Sequence, residues 1–140
     1  MNSHLLMAQL DVEDFMREAG QTLREYPSIP TPAELDLRID LITEEHDETI
    51  NALLACKMGG GPDIAKMAEV ADGIADAIYV LLGTASAFGI DMSSVWDEVQ
   101  RSNMEKMTGP IREDGKRLKP KDWRPPDIVA AIQSQYGVRE

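Results

Sequence analysis

Glu44-Glu45-His46-Asp47-Glu48 sets five ionisable side chains in succession inside a stretch that otherwise reads as a core helix. Each helical residue advances by about 100°. Glu44, Glu45 and Glu48 therefore fall within an arc of about 100°, with Glu48 between the other two. The same stripe carries Leu37 and Leu41 before the acids and Ala52 and Ala55 after them. Acids flanked along their own face by apolar residues do not read as a solvated face. They read as carboxylates held inside a helical bundle, where they need a cation. The rest of the chain reads as a scaffold for that cluster.

The helix that carries the run has a clear start. Thr31 suits the N-cap, Pro32 the first helical position, and Glu34 completes a capping box. The helix is expected to run to about Lys57, where Met58-Gly59-Gly60-Gly61-Pro62 stops it. That glycine run lacks the Gly-Lys-Ser/Thr ending and the preceding strand of a phosphate loop, so it reads as a connection. Leu35, Ile39, Ile42, Ile50 and Leu53 form a second, ordinary core stripe. A helix with two faces to bury belongs inside a bundle or at a subunit interface.

The next helix is expected from about Asp63 to Phe88, ending at Gly89. Between Val70 and Leu82 it is apolar nearly all round, as in a buried helix. Asp72 and Asp76 interrupt it on one face, with Glu69 a turn earlier on that face. No Lys or Arg lies between Ala68 and Met92 to pair with them. A cation must come from elsewhere, most simply a metal.

Around this pair the sequence predicts a first helix opening at Asp11 as N-cap and ending near Tyr26-Pro27, with Val12, Phe15, Met16 and Leu23 on its apolar face. A fourth helix opens at Ser94 and ends at about Met107, before Gly109-Pro110. A short last helix follows Pro125-Pro126-Asp127 and reaches about Gln135. The segment Ile111 to Arg124 is polar, basic and strandless. No period-2 stretch of useful length occurs. The fold class expected is all-α, a four-helix-bundle core plus a short C-terminal helix, as one domain over residues 1–140.

A net charge of −11 argues against a nucleic-acid partner. It leaves room for a phosphate substrate, because bound divalent cations reverse the local sign. No apolar run is read as reaching transmembrane length, and Met1 to Leu6 lacks the basic and long apolar regions of a signal peptide. With the single Cys56, which reads as a small helical residue, this points to a cytoplasmic protein with no membrane partner.

Two antiparallel helices with facing acids can place four or five carboxylates around one cavity. All-oxygen ligation without His or Cys suits Mg²⁺ or Mn²⁺, and such sites serve phosphoryl chemistry. His46 points with Ile39, Ile42 and Ile50, away from the acids, and reads as packing or surface. A di-iron bundle needs Glu-x-x-His pairs, which neither His4 nor His46 provides.

Glu44-Glu45-His46-Asp47-Glu48 resembles the Glu-Glu-x-x-Glu signature of the all-α nucleoside triphosphate pyrophosphohydrolases: MazG-like proteins, dimeric dUTPases and phosphoribosyl-ATP pyrophosphohydrolases. Asp76-Ala77-Ile78-Tyr79 is similar to the aspartate end of their second signature, Glu-x-x-Asp with a following aromatic. Arg101 to Lys106, with Arg112 to Lys116, looks like the segment that follows in the MazG-like dUTPase branch. The resemblance covers Pro32 to Asp127. The family glutamate falls on Gly73, and Asp72 is expected to take its place; the alternative match of Glu69 with Asp72 lies one turn too early relative to Tyr79.

The resemblance implies metal-dependent hydrolysis of a (deoxy)nucleoside triphosphate, dUTP among the candidates, to the monophosphate and pyrophosphate. It implies Mg²⁺ or Mn²⁺ on Glu44, Glu45, Glu48, Asp72 and Asp76, with Glu45 taking the proton from water. Asn103 would bond base or sugar, and Lys106 a phosphate. Arg112 and Lys116 would reach the substrate from the basic loop or from a partner subunit. Tyr79 would stack on the base or simply pack. It also implies a homodimer or a dimer of dimers. The competing readings are phosphoribosyl-ATP hydrolysis, house-cleaning of modified nucleotides, and a non-catalytic helical module whose acids bind a basic partner.

Overall fold

In a computed structural model residues 3–137 are described. They form α1 (Ser3–Glu18), α2 (Pro32–Met58), α3 (Asp63–Ala87), α4 (Met92–Lys106) and α5 (Ile128–Gly137). The only β feature among them is an isolated bridge between Ile111 and Arg117, so the fold is all-α as expected. The single domain expected over 1–140 includes residues 1–2 and 138–140, which lie outside the described residues.

The start of α2 follows its local chemistry. Thr31 Oγ1 accepts from the Glu34 N–H at 3.3 Å, and the Glu34 carboxylate accepts from the Thr31 N–H at 2.9 Å, a reciprocal capping box. Three other boundaries differ from expectation. α1 begins at Ser3, leaving Asp11 mid-helix, and ends at Glu18 rather than near Tyr26. Gly20, at φ 71°, turns the chain: its N–H donates to Arg17 O and the Gln21 N–H to Met16 O, the paired bonds of a Schellman stop. Leu23 still reaches the core, from the linker. α4 starts at Met92 rather than at Ser94, because Asp91 is its cap, accepting from the Ser93 N–H at 2.8 Å.

The core joins Val12 and Met16 of α1 to Leu82 and Ala87 of α3. Gln9 fastens the α3–α4 turn: its Nε2 donates to Ser86 Oγ and Ile90 O, and its Oε1 accepts from the Met92 N–H. Gln135 of α5 clasps Asp91, donating to its carbonyl and accepting from its N–H. On α4, Arg101 bonds the Glu98 carboxylate and holds its pKa down at about 2, assisted by the Asp127 N–H. This ties the incoming chain of α5 to α4.

α2 and α3 form the most extensive helix pair. They pack closely where a Cβ on Gly73 would lie 3.0 Å from Thr49 Oγ1 and 3.2 Å from Thr49 Cα. Their outer faces are bare. Of the stripe read as core on α2, Ile39 is 60% exposed, and on α3 Leu81 is 53% exposed, with Ile50, Leu53, Ile74 and Ile78 also exposed. The buried members of α2 are Arg38 and Ala52. The chain exposes 9604 Å², whereas a folded monomer of 15.5 kDa exposes about 7,200 Å². α3 is also long and apolar enough, by length and composition, to cross a membrane. That corrects the reading that no segment is; core helices of soluble proteins meet the same criterion.

Gly73→Ala places a methyl group against the Thr49 backbone, which cannot swing aside. The expected loss of stability is about 1–3 kcal/mol, read from the urea midpoint at unchanged m-value.

Candidate metal centre and adjoining cleft

Glu45 and Glu48 lie three residues apart on one face of α2, and Asp76 comes from the facing side of α3. One carboxylate oxygen from each lies within 4.8 Å of the others. Glu45 is half-buried, and its Oε2 is buried with no hydrogen-bond partner. Burial pushes the Glu45 pKa up, and the negative charges of Glu48, Asp76 and Glu44 push it further. No Lys or Arg among the described residues forms an ion pair with the three. A buried acceptor without a donor, in an all-oxygen cluster of like charges, fits a hard divalent cation.

The other expected ligands stand outside this group. Glu44 is exposed and reaches Glu45 only through its charge. Asp72 is exposed; with Glu48, Asn51 and Glu69 it lines a separate cleft of ≈ 290 Å³. Gly73, where the resemblance calls for glutamate, is buried against Thr49. His46 is on the surface, 3.4 Å from the Asp47 carboxylate.

Beside the triad lies a cleft of ≈ 240 Å³ with mostly apolar walls, to which Glu45, Asp76, Tyr79, Phe15, Gln21 and Arg38 contribute. Tyr79 meets Phe15 edge-on, ring centroids 5.6 Å apart at 80°. It packs and lines the cleft at once. Arg38 escaped the sequence reading because arginine is ordinarily exposed. The available signal was its position seven residues before Glu45, which puts both on one helical stripe.

The expected substrate contacts of the C-terminal half do not line this cleft. Asn103 is exposed on α4. Lys106 and Lys119 sit over the Trp123 ring at 5.3 and 4.2 Å, while Trp123 Nε1 donates to Ser102 O. Arg112 forks onto Asp114 at 2.9 and 2.5 Å, and the Lys116 N–H donates to the same carboxylate. Within one chain these residues brace a loop.

Residues 12–103 match the family model of phosphoribosyl-ATP pyrophosphohydrolase. The matched span runs from α1 into α4 and takes in Arg38, the triad and Asn103; Lys106, Arg112 and Lys116 lie beyond it. Among curated proteins no match is found. The match supports the superfamily named from the sequence, through a member other than the dUTPase-like branch.

The raised pKa of Glu45 has a testable sign. Above about pH 4.5, its ordinary value, the folded chain holds a proton that the unfolded chain has released. The contribution of Glu45 to stability without divalent ions therefore falls as pH rises through this window. Glu45→Gln removes the effect: the variant is the more stable protein at about pH 8 and loses that margin below about pH 4.5. Mg²⁺ or Mn²⁺ at about a hundred times its Kd stabilises the wild type by about 2.7 kcal/mol and the variant by less. Thermal melts across pH, with metal or with EDTA, read both effects.

Proposed function

The chain belongs to the phosphoribosyl-ATP pyrophosphohydrolase family, hydrolases acting on acid anhydrides, and on that premise we propose that it cleaves a (deoxy)nucleoside triphosphate, dUTP among the candidates, to the monophosphate and pyrophosphate. The observation that carries the reading is the triad of Glu45, Glu48 and Asp76 with its partnerless buried oxygen. These three would hold Mg²⁺ or Mn²⁺, and Asp72 and Glu44 would complete the cage as further ligands. When bound, the metal neutralises charge on the phosphates and lowers the pKa of a water. A water oxygen bonds to phosphorus as the anhydride oxygen leaves with pyrophosphate. Glu45, whose surroundings already favour its protonated form, takes the proton that water gives up.

The apolar cleft beside the triad suits the nucleoside part of the substrate. The family match favours a second reading, in which phosphoribosyl-ATP is the substrate, and the same carboxylates would serve its phosphates. The bare apolar faces of α2 and α3, with the excess of exposed surface, support a second copy of the chain as partner. Arg112, Lys116 and Lys106, which do not line the cleft of their own chain, would then reach the phosphates from that copy, with Asn103 on the sugar or base.

The direct test is a panel of nucleoside triphosphates and phosphoribosyl-ATP with Mg²⁺ or Mn²⁺, distinguishing pyrophosphate from phosphate. Pyrophosphate is expected; no release from any substrate, with no metal bound, defeats the reading. Glu48→Ala and Asp76→Ala are each expected to lower kcat/KM by about 10²–10⁴-fold. Asp72→Ala is expected to lose more activity than Glu69→Ala, and the reverse order would remove Asp72 from the ligand set. Sedimentation should give at least a dimer, and Leu81→Glu, which charges the bare face of α3, should shift it towards monomer.

A further inference from the structure

The least explained side chain near the triad is Arg38, which is 5% exposed. A buried guanidinium is ordinarily paired with a carboxylate. This one has only neutral acceptors: Nε donates to Thr84 Oγ1 at 3.1 Å, Nη1 to Gln21 Oε1 at 3.2 Å, and Nη2 to Val80 O at 2.9 Å. No acid among the described residues forms an ion pair with it, and burial pushes its pKa down. Gly83 makes its room, since a Cβ there would lie 2.6 Å from Nη2. Stability alone does not account for a charge held in this way.

Its neighbours leave the polar end of the cleft with more free donors than acceptors. A guanidinium cannot accept, so Gln21 must turn its carbonyl oxygen to Arg38 and its amide NH₂ away. That NH₂ has no acceptor among the described residues. The Thr84 hydroxyl proton is already given to Val80 O at 2.7 Å. Nη1 and Nη2 of Arg38 each retain an N–H beyond the bonds named. The walls leading to this end are Phe15, Leu41 and Tyr79.

We propose that Arg38, with Gln21, is the specificity-determining residue of this cleft and selects a base that presents a keto oxygen over one that presents an amino group. This rests on the reading that the cleft receives the nucleoside of a pyrophosphohydrolase substrate. Arg38 precedes Glu45 by seven residues on the same stripe of α2, about 10 Å along the axis. Phosphates held at the carboxylates leave the base at the donor end. A keto oxygen takes two of these donors, whereas an exocyclic amino group sets donor against donor and leaves both buried groups unpaired. A second phosphate would also satisfy the charge, but aromatic and aliphatic walls fit a flat ring.

The test compares kcat/KM for dUTP against dCTP and for dITP against dATP, pairs that exchange an oxo for an amino group at one ring position. In the pair turned over faster, the wild type should favour the oxo member by about tenfold or more. Arg38→Lys and Gln21→Ala should bring that ratio to within about threefold of unity. Preference for the amino member, no preference, or a proportional loss on every nucleotide in the variants overturns the role of Arg38 and leaves the pyrophosphohydrolase reading intact. Absence of pyrophosphate from all nucleotides overturns the reading beneath it. Thermal melts establish whether Arg38→Lys folds; the wild-type ratio and Gln21→Ala decide the matter without it.

Discussion

Three carboxylates repel one another, and the packing of α2 on α3 holds them together. Their helices are in tight contact at Thr49 and Gly73, one residue beyond Glu48 and three before Asp76. A larger residue at Gly73 would wedge the helices apart and separate the acids. The unfavourable charge is absorbed mainly at Glu45, the most enclosed member, whose pKa rises. Close approach and repulsion are thus two sides of one arrangement, whose like charges a bound cation would offset.

The same contact bears on Gly73, where the sequence resemblance calls for glutamate. A glutamate there would have to grow out of a Cβ already pressed against the Thr49 backbone. Asp72, one residue away, points into a different cleft, shared with Glu48 and Glu69. Glu48 therefore belongs to two acidic neighbourhoods. A ligand set spread over both would use Glu48 as its bridge, and the position vacated at Gly73 would lie between them.

Much of this was legible in the sequence, in a way that tracks which forces are local. The capping box at Thr31, the glycine stop after Met58, and the pairing of acids from α2 and α3 all follow from neighbours in the chain or from helical period. The end of α1 was equally local, but Gly20 was passed over for the proline at position 27. Period could not tell a face buried in one chain from a face left bare, so Ile39 and Leu81 read as core. Nor could it choose among acids on one arc: Glu44 and Glu45 are adjacent in sequence, and only the position of α3 separates the exposed from the enclosed. Arg38 was hidden by composition itself, because its burial depends on Gly83, Thr84 and Gln21 from other parts of the chain.

The same arrangement gives the cleft a direction. Its carboxylates repel phosphate until a cation is bound, and its other end is rich in donors, which phosphate would also accept. A chain of net charge −11 therefore discourages anions globally while holding one buried positive charge about two helical turns from its acids. With metal bound, the sign at the triad reverses and the phosphates have a stronger partner there than Arg38. On the proposed reading, electrostatics would set the order of binding: metal would define the phosphate end, and Arg38 would be left to meet the neutral, oxygen-bearing end of the nucleotide.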